Sequence, residues 1–525
     1  MIYSKHIFIF PFKWEKYLGT RSVRTSLSGR ANVNEFANYL ELGAWKQFTF
    51  EAKVEDGYNR YNEYAYFYDF ARDVLNISQD PEASVRIAQF EYQAMDREQA
   101  CFRIETLKGN YTLQLNEILL NIYENGVGLL VYVLENKKHR DSCDIRRIND
   151  FGRRLYPQFL GIKNANLTQE TKKAFLATKI ILEGVRTIHG HTIEEDFSHF
   201  DTEENVKRIP NHLPNHVMAL LGTGVKDHPN LAKINDFLVL PLLDDRMFVM
   251  CFVFDRPLVS DLICLKENDN NNDVSWKTNA DWYRYLFVDD SMMSCPDPEM
   301  QKRLIEKATY TRWINRKNAD ESIFFGVTRY SFIMLAAKCE GFAKDVLLKH
   351  FEHMYFQLVL LTLLQRASII QFSGEVARIA RRLTAGMQDI EDEQVNIAHL
   401  YVQYIKFVNR IFFREVTPQE QGIELYDLLQ EQMRIREEVK DLREEIAELN
   451  TYTETKLNSQ LTIVASLFLP SGFMAALLAL FGLNWPDSNA GLGIVPYILG
   501  IVSFAMLSLF FSKPLIRIIK KWGGK

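Results

Sequence analysis

The chain has 525 residues, of which 25% are charged and 47% are hydrophobic, and its formal net charge at pH 7 is -5. A chain of this length can bury a sizeable core, and its slight acidic excess disfavours a nucleic-acid surface as the main function. The six cysteines are scattered without a C-x-x-C pair, which indicates neither a disulfide framework nor a zinc site of that kind. We therefore expect a mostly globular protein in a reducing compartment.

Residues 1–325 are typical of a mixed α/β domain, because short β-rich runs alternate with helical stretches. We expect one hairpin at Asn125-Gly126, a dipeptide typical of a type I′ turn. A second hairpin is expected around Asp244 and Asp245. The predicted strands cover residues 6–12, 47–52, 84–90, 102–106, 118–123, 126–134, 237–242 and 246–254.

A basic cluster in this domain is the candidate ligand-binding site. It consists of Arg146, Arg147, Arg153 and Arg154, and Tyr156 follows it. Guanidinium groups suit a phosphate and an aromatic ring suits a base, so the cluster predicts binding of an anionic, ring-containing ligand. An ordinary salt-bridged surface is the other interpretation, and the sequence alone favours it.

Other chemistry in this domain is sparse. A metal-like group contains His189, His191, Glu194, Glu195, Asp196 and His199, but its spacing fixes no metal geometry and favours a solvated loop. The asparagine-rich run 268–273 is also expected to be a loop, since it lacks the glycine and terminal glutamate of a calcium loop. No nucleophile–base pair stands out. We expect a protein that is not an enzyme and requires no cofactor.

Residues 326–416 are predicted to form a helical layer. The strongly apolar run 355–364 is interrupted by Gln357 and closed by Gln365. This run is shorter than the roughly 20 residues that span a bilayer, which favours a buried helix over a membrane span. Gly374 is expected to separate it from a second helix over residues 375–415.

The segment 417–460 predicts a stalk that begins at Thr417 and Pro418, an N-cap and a first helical position. Together with the first span it predicts one unbroken helix of about 65 residues and about 95 Å. Apolar residues follow a three-and-four spacing at Leu428, Ile435, Val439, Leu442, Ile446 and Leu449, with Gln432 on the same seam. This pattern favours a coiled coil between copies of the chain. A solvated single helix with one packed stripe is the alternative.

Two charge-free apolar runs, residues 461–483 and 494–511, predict two transmembrane helices. The loop 484–493 between them has no lysine or arginine, whereas the tail 512–525 is basic. Positive residues stay on the cytoplasmic side, so we expect the loop outside and both termini inside. Residues 6–12 are too short for a signal peptide. The expected location is the plasma membrane (the inner membrane of a two-membrane cell).

Residues 458–484 resemble the CorA family of divalent-cation channels, with Pro470 inside the first span. Members are pentamers in which an α/β domain and a long stalk helix lead to the membrane and a Gly-Met-Asn tripeptide rings the outer mouth. The tripeptide here is Gly482, Leu483 and Asn484. It lies about one helical turn further from the proline than in ordinary members. The resemblance implies a homopentamer whose Asn484 ring binds a hydrated cation such as Mg²⁺.

Two extrapolations give different pore linings. Extending the heptad seam predicts Lys456 and Gln460. The resemblance implies instead a lining of Asn458, Leu461, Ala465, Leu469 and Gly472. The second set is preferred, because a supercoil register need not persist into a membrane span. Leu461 and Leu469 are then expected to form apolar constrictions.

Residues 6–14, 126–130 and 148–157 resemble the CorA-like membrane effectors associated with type III CRISPR systems. This resemblance implies a channel opened by a nucleotide second messenger, either a cyclic oligoadenylate or an S-adenosylmethionine–AMP conjugate, without direct nucleic-acid binding. One alternative is a housekeeping magnesium or cobalt channel gated by intracellular cations. Another is a membrane-tethered scaffold that conducts nothing.

Overall fold

The computed structural model describes residues 2–16, 32–41, 43–48, 50, 59–75, 77, 87–155, 177–186, 192–197, 213–221, 233–234, 237–243, 246–264, 275–290, 294–385 and 390–480. The chain divides into two compact units, Met1–Ala377 with His399–Arg443, and Arg378–Ala398 with Glu444–Lys525. Several predicted features lie outside the described residues: Tyr156, His189, His191, His199, the loop 268–273, the tripeptide 482–484, the outer loop, the second span and the basic tail.

The first unit is built on a mixed sheet, whose described strands are β1 (Ser4–Lys16), β2 (Trp45–Gln47), β3 (Ile87–Tyr92), β4 (Cys101–Thr106), β5 (Gly109–Tyr123), β6 (Val127–Asn136), β7 (Lys179–Glu183), β8 (Ile193–Asp196), β9 (Lys233–Ile234), β10 (Phe237–Pro241), β11 (Phe248–Phe254), β12 (Thr309–Tyr310), β13 (Ile323–Val327) and β14 (Ser331–Ala336). The main path runs β12-β13-β14-β11-β1-β6-β5-β4-β7-β8. Its β11–β14 pair is parallel and the other described pairs are antiparallel. The predicted mixed α/β class is therefore confirmed for this part of the chain.

The helices of the described chain are α1 (Val33–Glu41), α2 (Asn59–Tyr66), α3 (Asp69–Leu75), α4 (Ser142–Gly152), α5 (Asn215–Leu221), α6 (Arg256–Ile263), α7 (Ala280–Phe287), α8 (Pro298–Ala308), α9 (Leu348–Glu352), α10 (Met354–Ala385), α11 (Ile390–Arg410), α12 (Glu420–Gln432) and α13 (Ile435–Leu480). A π-helical turn, Ala343–Leu347, precedes α9 directly.

Strand β1 is central, and its two faces have different partners because side chains alternate along a strand. Phe8 contacts Phe102 of β4 with ring centroids 5.9 Å apart, within the main hydrophobic core. The opposite face carries Lys5 and Lys13. Lys5 pairs with Glu352 of α9, and Lys13 pairs with Glu375 of α10 at 3.2 Å. The sheet is therefore covered by the core helices on one face and by α9 and α10 on the other.

The predicted hairpin around Asp244 and Asp245 is wrong. Strands β10 and β11 form, but each pairs with β1 and neither pairs with the other. They lie end to end along β1, and the junction between them falls at Phe10 and Pro11. A proline has no N–H group to donate to a ladder, so this position suits a break in pairing.

The hairpin at Asn125-Gly126 is confirmed, but its turn is not type I′. That turn needs positive φ at both central residues. Gly126 has φ of 82°, whereas Asn125 is not among the described residues with positive φ. The Gly126 N–H donates to the Tyr123 carbonyl at 2.9 Å. The side-chain amide of Asn125 donates to the Ser368 hydroxyl of α10 at 2.7 Å. The hairpin tip is thereby tied to the helix below the sheet.

The predicted boundary between the α/β domain and the helical layer also needs correction. β13 crosses residue 325, and β14 continues the sheet to Ala336. Helix α10 then passes through Gly374 without a break, where a Cβ would meet nothing within 4 Å. A glycine in a helix interior costs only about 0.5–1 kcal/mol relative to alanine, so packing of α10 overrides the predicted stop.

The stalk is interrupted where one unbroken helix was predicted. α12 ends at Gln432, Arg434 has φ of 56°, and α13 begins at Ile435. The predicted seam residues Ile435, Val439, Leu442 and Ile446 are all buried within a single chain. This burial agrees with the alternative of a helix with one packed stripe, and the coiled coil between copies stays a prediction.

Candidate functional site

The arginines of α4 face carboxylates, which restricts what else they can bind. Asp141 starts the helix by accepting the Cys143 N–H at 2.7 Å. Arg146 lies 3.2 Å from Asp281 and 3.4 Å from Asp290, and Arg147 lies 3.2 Å from Asp290. Burial acts to lower the pKa of Arg146, but Tyr285 and the two aspartates outweigh it and the pKa is raised. An anionic ligand would have to displace these carboxylates.

Arg153 and Arg154 are buried at the end of α4. Arg154 lies 3.1 Å from Asp150, and Arg153 lies 3.6 Å from the same carboxylate. Arg153 also donates to the Val288 carbonyl at 2.8 Å. Val288 has φ of 52°, a strained conformation for a β-branched residue that its surroundings must hold in place. The geometry favours the salt-bridge interpretation of the four arginines, of which Arg146, Arg153 and Arg154 are buried and Arg147 is half-buried.

A buried polar cluster beside α4 was not found from the sequence. His6 is hydrogen-bonded to Ser4 at 2.8 Å and to Asn149 at 2.7 Å, and the Cys251 thiol is 3.5 Å from its ring. These residue types also form nucleophilic sites, but burial lowers the pKa of His6 to about 4 and raises the pKa of Cys251 to about 12. The imidazole is a poor base and the thiolate does not form near pH 7, so the cluster is structural.

A second cluster joins the sheet to the stalk. The guanidinium carbons of Arg246 and Arg366 lie 5.1 and 5.4 Å from the ring centre of Tyr330, in the turn between β13 and β14. Arg366 also donates to the Arg329 carbonyl at 2.8 Å, and Arg329 pairs with Glu438 of α13 at 3.2 Å. Burial, together with the like charge of Arg329, lowers the pKa of Arg366. These residues are far apart in sequence and carry no local signal.

The predicted pore-lining residues lie on α13. Asn458, Ala465 and Gly472 are exposed, and their seven-residue spacing places them on one stripe of the helix. Leu461 and Leu469 lie in the same helix. Lys456, from the other extrapolation, reaches the Leu383 carbonyl at the end of α10 at 3.5 Å. The pore lining itself stays a prediction.

Among the described residues, one helical stretch is long and apolar enough to cross a membrane. It is Ala343–Leu383, and 83% of its most apolar window is buried inside the protein. This burial confirms the prediction that residues 355–364 form a buried helix. Of the two predicted spans, α13 makes residues 461–480 helical, and the second lies outside the described residues.

Acidic and histidine side chains of the described chain do not form a group of three or more that could hold a metal ion. Of the metal-like group, Glu194, Glu195 and Asp196 form β8, where a loop was expected. Lys179 pairs with Glu194 at 2.5 Å, and Glu195 accepts the Asn215 N–H. Glu194 and Glu195 therefore form stabilising contacts at the edge of the sheet.

No family model matches the chain, and no curated protein matches it. Among solved structures, the chain is similar to the "structure of the full-length CmaX protein", with 16% identical residues. The alignment covers 51% of this chain and 88% of that one, with a TM-score of 0.16. Backbones with so low a score do not superpose as one fold, and the likeness carries no functional argument here.

Proposed function

We propose that the chain is a subunit of a CorA-like membrane channel that acts as an effector of type III CRISPR defence. In this proposal a nucleotide second messenger binds the cytoplasmic domain and opens the pore, which disturbs the ion balance of the cell. The messenger is a cyclic oligoadenylate or an S-adenosylmethionine–AMP conjugate. The protein is not an enzyme and does not bind nucleic acid directly.

The observation that carries this proposal is the continuity of α13. One helix, Ile435–Leu480, includes both the buried residues Ile435, Val439 and Leu442 and the charge-free run from residue 461 onward. A helix transmits a displacement of one end to the other, because its backbone hydrogen bonds hold it as a rod. In this proposal a rearrangement at Ile435 reaches the predicted membrane segment along the same helix.

The first turns of α13 are also held by the domain that would receive the signal. Glu438 pairs with Arg329 in the β13–β14 turn, and the Val439 carbonyl accepts the Tyr404 hydroxyl at 3.2 Å. A ligand that changes the sheet thus acts on contacts that position the helix. A full switch needs about 5.5 kcal/mol of differential binding between the closed and open states.

In this proposal, assembly as a homopentamer uses a surface other than the seam of α13. The outward face of α11 exposes Tyr401, Val402 and Ile405. Clustered apolar side chains of this kind mark interaction surfaces. A second copy of the chain is the proposed occupant, because each chain brings only two predicted spans and a pore requires several copies. Asn484 of each copy would then face the permeant cation, with Mg²⁺ as the first candidate.

Ion flux from proteoliposomes tests the function. We expect purified protein to release trapped cations when one of the adenylate messengers is added on the cytoplasmic side, and not when Mg²⁺ alone is added. A cysteine in place of Ser488 is expected to react with an impermeant thiol reagent in intact cells. Magnesium uptake without any nucleotide, together with rescue of a magnesium-auxotrophic strain, would favour the housekeeping transporter instead.

A further inference from the structure

An open cleft at the end of β13 and β14 lies among the described residues of the first unit and has no assigned role. Its volume is about 1230 Å³, which is ample for a small-molecule ligand. One wall is the segment that follows β12, with Trp313, Arg316 and Lys317. The other wall follows β14, with Lys338 and Phe342. The cleft lies apart from the arginines of α4.

Two aromatic rings stand exposed in this cleft. Trp313 retains 38% of its surface and Phe342 retains 54%, although large aromatic side chains normally bury most of their area. Their ring centroids are 6.3 Å apart and the planes are tilted by 37°, so the rings already contact each other. A further ring can stack on their open faces, which is how aromatic side chains hold bases.

The cleft also carries positive charge that the described chain does not neutralise. Arg316 and Lys317 form no ion pair within the part of the chain that the structure describes. The neighbouring acids are engaged. Arg256 holds Asp320 at 2.8 Å, and two asparagine amides donate to Glu321 at 2.7 and 2.9 Å. Glu340 is the remaining carboxylate of the lining. An incoming anion would thus meet a guanidinium and an ammonium group without displacing a partner.

We propose that this cleft binds a nucleoside phosphate, with the base stacked on Trp313 and Phe342 and the phosphate held by Arg316 and Lys317. Arginine and lysine side chains are the usual phosphate partners, and an exposed aromatic pair supplies the surface for a base. The bounded cleft and the chain's net charge of -5 disfavour a long polyanion such as RNA. Binding rests on the cleft alone, and only its role in gating rests on the proposed function.

The cleft is connected to the stalk through its own wall. Arg312, beside Trp313, pairs with Glu424 of α12 at 2.5 Å, and the Tyr310 hydroxyl of β12 donates to the same carboxylate. α12 directly precedes Arg434 and α13. A ligand that pulls Arg312 or its neighbours therefore changes contacts at the helix that leads into the predicted membrane segment.

The test is nucleotide binding by the purified full-length chain in detergent. The probes are AMP, ATP and a cyclic oligoadenylate. Adenosine, which lacks the phosphate, and inorganic triphosphate, which lacks the nucleoside, are the comparison ligands. We expect at least one nucleotide to bind more tightly than either comparison ligand and to quench tryptophan fluorescence, and we expect Trp313→Phe to lose that quenching. The double variant Arg316→Ala/Lys317→Ala should raise the Kd by tenfold or more. Phe342→Ala should raise it severalfold.

Arg303→Ala is the matched control, because this exposed arginine lies on α8 outside the cleft. It should leave the Kd unchanged. No binding of any nucleotide by the native chain would overturn the proposal, as would equal Kd values in the native chain and the double variant. Binding without nucleotide-dependent ion flux would leave the site intact and refute the proposed function. Nucleotide-dependent flux that the double variant does not weaken would support the proposed function and refute the cleft as the site that gates the channel.

Discussion

The hydroxyl group of Tyr404 on α11 donates a hydrogen bond to the Val439 carbonyl on α13, with 3.2 Å between the oxygens. Both residues are buried. The contact joins the stalk to a neighbouring helix of the same chain, at one of the positions that the heptad pattern assigns to contacts between copies. A polar substitution in this seam should therefore lower the stability of the single chain.

Leu442→Asp is expected to destabilise the folded chain. Leu442 is buried, and an aspartate there would place a carboxylate among apolar side chains at a cost of about 3 kcal/mol or more in unfolding free energy. Thermal unfolding followed by circular dichroism measures this loss, with the exposed Arg443→Asp as control. If Leu442→Asp kept the native melting temperature but dissociated the oligomer, the seam would lie between copies after all.

Charges on the outward face of α11 should dissociate the oligomer without destabilising the single chain. The double variant Val402→Glu/Ile405→Glu places carboxylates on side chains that are exposed in one chain, so its melting temperature should change by only about 1 °C or 2 °C. Its mass by light scattering in detergent should fall towards that of one chain. Gln403→Glu, half-buried beside this face, is the charge control. An unchanged oligomer mass would exclude this face as the contact between copies.

Arg153→Ala is predicted to lower stability without a specific effect on a ligand. The side chain is buried, shares Asp150 with Arg154 and binds the strained Val288 carbonyl. Breaking a buried ion pair by removing one partner costs about 3 kcal/mol. Chemical unfolding can compare it with Arg140→Ala, which lies exposed before α4. Native stability with weakened nucleotide binding would restore the α4 arginines as the ligand site.

The stability of the first unit should depend on pH through His6. Burial lowers the pKa of His6 from 6.5 to about 4, against the opposing hydrogen bond with Asn149. Below pH 6.5 the unfolded chain takes up a proton that the folded chain does not take up until near pH 4. Stability is therefore present above pH 6.5 and falls as the pH falls across this window, by up to about 3 kcal/mol.

Unfolding free energies measured between pH 4 and pH 7 check this dependence. His6→Gln should show a shallower slope than the native chain over that range. The matched control is His399→Gln, which removes a half-buried histidine on α11. Equal slopes in all three proteins would show that His6 does not carry the dependence.

Leu461→Ser is expected to make the channel leak. A serine in an apolar constriction favours wetting of the pore, and a barrier lowered by about 1.4 kcal/mol raises flux about tenfold. Ion release from proteoliposomes without nucleotide measures the leak, and Leu461→Ile retains an apolar side chain as control. Equal resting flux in the native and serine proteins would place Leu461 outside the pore.

Local patterns in the sequence predicted many elements correctly. The strands at residues 6–12, 102–106 and 126–134 form, and so does the hairpin at Gly126. Of the apolar seam residues predicted in the stalk, Ile435, Val439, Leu442 and Ile446 are buried, whereas Leu428 and Leu449 are half-buried. Errors arose where the partner lies far away in sequence. β10 and β11 both pair with β1, and Asn125 uses its amide on α10 instead of adopting positive φ.

Features that depend on neighbouring residues could be read from the sequence: the charge-free runs, the alternation along β1 and the apolar seam of α13. The partners of those surfaces became known from the folded chain. Periodicity predicts that a side chain is buried. It does not predict which residues the side chain packs against, because the hydrophobic effect is non-directional. Ion pairs are equally hard to predict from the sequence. Asp281 and Asp290 lie far from Arg146 in sequence, and yet both form ion pairs with its guanidinium group. The same holds for the cleft of Trp313 and Phe342, whose walls meet only because β13 and β14 are neighbours.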